Sequence, residues 1–132
     1  MNKICCSVKK IENIDSLNIV NFDFQGLNLT MMSLDLNNIY VDTKVNLIVK
    51  PTHICIAKKF EGKTSFENIF KAKLFDIEKG KLLCNIKLKV NDILLESIIT
   101  LESFKIMDLQ ANDDVSVFIK ANDISILEVL KD

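Results

Sequence analysis

Between Asn85 and Val90 the chain reads NIKLKV, with Ile86, Leu88 and Val90 in one phase and Lys87 and Lys89 in the other. Strict alternation puts the apolar residues on one face of a strand and the lysines on the other, so the spacing predicts a sheet with one wet side. Residues 20–24, VNFDF, carry the same signal, and VSVFIK (115–120) and ISILEV (124–129) add two strands around a short AND break. The segment Glu78–Lys81, EKGK, reads as a hairpin turn in which Gly80 is free to take a positive φ; Glu12–Asp15, ENID, does the same job without glycine. In LESFKIMDL, Leu101, Phe104, Met107 and Leu109 form one stripe at helical spacing, which predicts a short helical turn.

These elements recur. Laid over residues 68–90, residues 2–24 put Asn2 on Asn68, Ile11 on Ile77, Glu12 on Glu78 and Phe22 on Leu88. Further along, VNLIVKPTHICIA falls on VSVFIKANDISIL, with Val45 on Val115, Lys50 on Lys120 and Ile54 on Ile124. The offset grows from 66 to 70, so the first copy is shorter in its middle, where it has only SLDLNNI in place of the helical turn. A repeat of some 60 residues is one supersecondary unit written twice. Five short strands per unit close best as a small barrel, which removes exposed sheet edges. The expected fold is all-β: two tandem five-stranded, OB-like barrels, over residues 1–59 and 60–132, with a short helical turn in the second. Each barrel alone is marginally small, so packing against its sister or another chain is expected. The polar stretch KKFEGKTSFE joins them, and Phe66 within it is the one phenylalanine that looks available for an interface.

Composition narrows the chemistry. The chain has 132 residues, 48% hydrophobic and 27% charged, which is a globular rather than a disordered composition. It has no apolar run long enough to span a bilayer and no leader-like start, so a cytoplasmic location is expected. Its 17 basic residues are all lysine, against 18 acidic ones, for a net charge of −1. With no Trp, one Tyr and no basic groove, a nucleic-acid role is disfavoured. Without arginine, any bound anion must be held by lysine, hydroxyls, amides or backbone N–H groups. Cys5, Cys6, Cys55 and Cys84 lack zinc-site spacing and read as reduced thiols. The single histidine, His53, reads as a surface or packing residue.

The pattern TSFENIFKAKLFDIEKGKLLCNIKL, then IITLES, then DDVSVFIKANDISI, resembles the molybdenum-pterin-binding (Mop) domain, the small barrel also known as the TOBE domain. The second copy resembles it along its whole length and the first more loosely, an arrangement similar to tandem Mop proteins that bind molybdate or tungstate. The resemblance implies an oxyanion held by hydrogen bonds where Mop domains meet. Ser65 and Asn68 match the opening Ser-Ala-Arg-Asn motif, with Phe66 and Glu67 in its middle; Thr100 and Ser103 match a Thr-x-x-Ser element; Lys120, Ala121 and Asn122 match an Ile-Lys-Ala/Ser-Ser turn, and Lys50 and Thr52 match it in part. Those ten residues, Glu67 included, are the candidate oxyanion site. A carboxylate near a dianion costs affinity, so Glu67 either pairs with a lysine elsewhere or silences its site. Read alone, Lys50 and Lys120 are solvated lysines, and Thr100 with Ser103 could simply cap the helical turn.

A tetrahedral dianion needs five or six donors, each contributing about 1.5–3 kcal/mol. One barrel supplies too few, so a homo-oligomer is expected, with a trimer favoured. The expected ligand is molybdate or tungstate, bound for storage or homeostasis without covalent chemistry and with no direct protein–metal ligand. No activated nucleophile or carboxylate pair points to an enzyme. The alternative is an interaction or assembly module of the same fold that has lost oxyanion binding.

Overall fold

A computed structural model describes residues 1–130. It contains ten strands, β1 (Asn2–Ile14), β2 (Leu17–Phe24), β3 (Leu27–Ser33), β4 (Lys44–Val49), β5 (Cys55–Lys58), β6 (Asn68–Lys79), β7 (Leu83–Val90), β8 (Ile93–Thr100), β9 (Asp114–Ile119) and β10 (Ser125–Val129), and one helix, α1 (Leu101–Met107). They form two antiparallel five-stranded sheets, consistent with OB-like barrels, and the helix falls in the second copy as its apolar stripe requires.

Alternation builds both sheets. Ile4, Cys6 and Val8 of β1 point inward, as do Phe70, Ala72 and Leu74 of β6. Each long strand then carries a bulge, after Val8 in β1 and after Leu74 in β6. The extra residues, Lys9 and Phe75, reset the phase so that Ile11 and Ile77 return to the core side. The bulge also receives the loop before the next strand: Val8 bonds Thr43 and Asp42, and Leu74 bonds Asp113 and Asn112, through their backbones. The sequence offsets of 66 and 70 are therefore repeated as matching hydrogen bonds, and the added residues of the second copy are spent on α1.

The hairpin turns differ in detail from their expected positions. Glu12 and Asn13 are paired strand residues, and the turn is Asp15–Ser16, with Asp15 at φ 55°. Aspartate tolerates that left-handed conformation better than most residues. Gly80 does not adopt positive φ. Its lack of a side chain serves a close approach instead: a Cβ there would stand 2.8 Å from the Leu83 carbonyl oxygen, and its N–H donates to that same oxygen.

The strand order is β10-β4-β1-β2-β3 in one sheet and β5-β9-β6-β7-β8 in the other. Strand β5, from the first copy, thus pairs with β9 of the second, while β10, from the second, pairs with β4 of the first. The last strand of each copy completes its sister's sheet. The exchange is reciprocal, as a twofold relation between repeats requires, and the buried apolar side chains of both copies form one continuous cluster.

Two buried asparagines tie the halves together. Asn68 accepts a hydrogen bond from the Thr30 N–H (2.6 Å) and donates to the carbonyls of Thr30 (2.9 Å) and Ile119 (3.1 Å). Asn2 accepts from the Glu96 N–H (2.7 Å) and donates to the Glu96 carbonyl (2.9 Å). The joining segment lies over β9: Phe60 and Phe66 meet the Phe118 ring edge-on, at centroid distances of 4.9 and 5.4 Å. Phe66, which looks available for an interface in the sequence, meets Phe118 of its own chain. Among the described residues, no helix is long and apolar enough to cross a membrane.

Candidate functional site

Lys50 and Lys120 each stand one residue before a 3-10 turn, Pro51–His53 and Ala121–Asp123 respectively. In both, the lysine carbonyl accepts from the N–H three residues on, at 2.9 Å in the first corner and 3.0 Å in the second. Because each strand leaving a corner crosses to the other sheet, the corners come side by side. Nδ1 of His53, in the first, lies 3.6 Å from Oδ1 of Asp123, in the second. Lys50, His53, Asn122, Asp123 and Ser125 line a cleft of about 220 Å³ whose remaining walls are Met1 and Ile48. Of the expected residues, the fold thus gathers Lys50 and Asn122 into one site. His53, Asp123 and Ser125 join them, and only the adjacency of the corners reveals that.

The cleft offers an ammonium, an amide and a hydroxyl as donors, an imidazole that donates from one or both nitrogens, and one carboxylate. That set can hold a small oxyanion by hydrogen bonds. The carboxylate also acts on its surroundings: burial pushes the Cys55 thiol up from its ordinary pKa, and the charge of Asp123 adds to the effect. Asn122 and Ser125 also face a neighbouring depression of about 260 Å³ with walls from Met31, Met32, Leu36, Ile124 and Ile126. The first copy has no helix over this end of its barrel.

The other expected residues are placed as follows. Glu67 faces the second corner and its Oε1 accepts the Ala121 N–H at 2.9 Å. It is therefore turned toward that corner, and among the described residues no ion pair joins it to a lysine. At the equivalent position of the first corner stands Pro51, which has no N–H. Asn68 is expected among the ligands, yet it is fully buried and its amide makes the three bonds described above; the structure gives it a tie between sheets in place of an exposed donor. Thr100 is the N-cap of α1, accepting from the Ser103 N–H at 3.0 Å, and its hydroxyl meets the Ser103 hydroxyl at 3.0 Å. The capping alternative describes that pair. Thr100 borders a separate groove with Lys81, Leu82, Leu83, Leu101, Glu102 and Lys105. Ser65 is exposed in the joining segment, Thr52 is exposed within the first corner, and Lys120 is exposed at the start of the second. Among the described residues, no group of three or more His, Cys, Asp or Glu is arranged to hold a metal ion.

Residues 64–126, most of the second copy, match the model of the TOBE domain. No curated protein sequence matches the chain. Among solved structures it is similar to the cytoplasmic molybdate-binding protein ModG, in a crystal form with molybdate bound: TM-score 0.89, 18% identity, over 95% of this chain and 94% of that one. At that identity the likeness concerns the fold alone.

Proposed function

We propose that this chain is a cytoplasmic oxyanion-binding protein that takes up molybdate or tungstate for storage or homeostasis. The observation that carries the reading is the meeting of the two lysine-bearing corners in one cleft, within a fold shared end to end with a molybdate-binding protein. Lys50, Asn122 and Ser125 are the donors of the cleft; Lys120, Thr52, Ser65, Thr100 and Ser103 are exposed and available to a second copy. Lys50 is the one lysine lining the cleft and shares it with the Asp123 carboxylate, so a dianion there is incompletely neutralised. Donors from a neighbouring copy would complete the shell, which favours a homo-oligomer, a trimer among the options. The ligand is bound and released without covalent change.

Calorimetry with molybdate, tungstate and sulfate tests this, followed by size analysis with and without ligand. Removing the Lys50 ammonium in Lys50→Ala is expected to weaken binding about 10- to 100-fold, the equivalent of one charge-assisted hydrogen bond. A second reading has its own support. Glu67 occupies the Ala121 N–H and Pro51 supplies none, so neither corner has its post-lysine N–H free for a guest. That favours an assembly module of the same fold without a ligand. Absence of heat with all three oxyanions would establish the second reading over the first.

A further inference from the structure

His53 is the only histidine of the chain, and the repeat places it opposite Asp123, its own counterpart at an offset of 70. The two face each other across the cleft at 3.6 Å, and both are partly open to water, with side chains 41% and 26% exposed. Charge in the cleft depends on this ring. With neutral imidazole, Lys50 and Asp123 cancel. With imidazolium, the three groups sum to +1, and Asp123 has an ion-pair partner in the ring. Imidazole is the side chain whose charge ordinarily changes between about pH 5 and 8.

The other titratable groups around the ring are few. Met1 borders the cleft, and the Cys55 thiol lies under the influence of Asp123. Strand β8, on which the first corner packs, carries only Glu96, whose backbone is tied to Asn2 and whose carboxylate meets the Asn85 amide at 3.5 Å. Strand β10, next to the cleft, carries only Glu128, which accepts from the Asn46 amide.

We propose that His53 is the proton-dependent cation of this cleft, so that oxyanion binding and protonation of His53 favour each other. The inference rests on the oxyanion-binding reading of the same site and specifies its regulation: tighter binding on acidification, release as pH rises. By linkage, a ligand that prefers the protonated ring must raise the midpoint of its titration by the same factor.

A single histidine makes the test direct. The imidazole Cε1–H resonance is followed by NMR from pH 5.5 to 8.5 with and without saturating molybdate, and calorimetry is run on the same preparation at pH 6.5 and 8.0. The expected result is a midpoint raised by about 0.5–1 pH unit and affinity about two- to fourfold weaker at the higher pH. His53→Gln should flatten that dependence. Molybdate binding with an unmoved midpoint, or a His53→Gln protein that keeps the wild-type pH dependence, would overturn the inference and leave the binding function standing. No binding heat with molybdate, tungstate or sulfate at either pH would overturn both.

Discussion

Replacing Asn68 with alanine separates a structural role from a ligand role. The side chain is fully buried and makes three hydrogen bonds of 2.6, 2.9 and 3.1 Å, two of them to Thr30 in the other sheet. Each is worth about 1 kcal/mol net, so the substitution should cost about 3 kcal/mol and leave the Thr30 N–H without its acceptor. For a chain of this length that corresponds to a fall in melting temperature of about 10 °C. Asn2→Ala removes the two equivalent bonds to Glu96 and should cost about 2 kcal/mol, or about 7 °C. Thermal unfolding followed by far-ultraviolet circular dichroism, with urea titration as a check on the slope, measures both. A loss under about 3 °C for Asn68→Ala, or a larger loss for Asn2→Ala, would refute the reasoning. If Asn68→Ala kept its stability and lost oxyanion affinity, Asn68 would be a ligand after all.

Further expectations follow from the same contacts. Thr100→Ala removes the cap of α1 and should cost about 1 kcal/mol, seen as a lower urea midpoint with an unchanged slope. In the native protein a thiol reagent should label Cys5 readily and leave Cys6 and Cys84 protected until unfolding; both are buried, and burial, then the neighbouring Cys5 and Asp23, push the Cys6 thiol up to about 12. The Lys58 ammonium, then the Gln110 N–H, hold the Asp113 carboxyl below its ordinary value. The pair's contribution is therefore present above the unfolded carboxylate pKa, about 4, and is lost as pH falls through the depressed folded value; Lys58→Met should flatten the acid limb of a stability-versus-pH curve. Residues 1–59 expressed alone lack β10 and carry an unpartnered β5, so they should show no cooperative unfolding by circular dichroism.

Much of the fold was legible in the residues. Period-two alternation in 85–90 and 20–24 reports which side chains face inward, the matched phases of residues 2–24 and 68–90 report the repeat, and the Leu101–Leu109 stripe reports α1. Strand partnership was not legible. Alternation states a strand's face and says nothing of its neighbour, so VNLIVKPTHICIA reads as a local strand-turn-strand although β4 and β5 lie in different sheets. The site suffered from the same gap. Lys50 and Lys120 were recognisable from the repeat, but His53 looked like a surface or packing residue because Asp123, its partner, is 70 positions away. Asn68 was read as a motif ligand because polarity in sequence does not distinguish an exposed donor from a buried one with its bonds satisfied. Glu67 was expected to oppose an anion, and only coordinates reveal that it takes up the Ala121 N–H itself.

The exchange of terminal strands also sets a schedule for synthesis. As the polypeptide leaves the ribosome, the row of backbone groups on β4 that β10 will cover stays open until the last turn and its following residues emerge. Residues 125–129 must be made before the first sheet is finished, and the closing pairs, from Ser125 with Ile48 to Val129 with Val45, span 77 to 84 positions. Closure over such separations is slow, so a nascent chain carries an exposed strand edge until β10 has emerged, the interval in which docking by a chaperone or a sister chain would matter most.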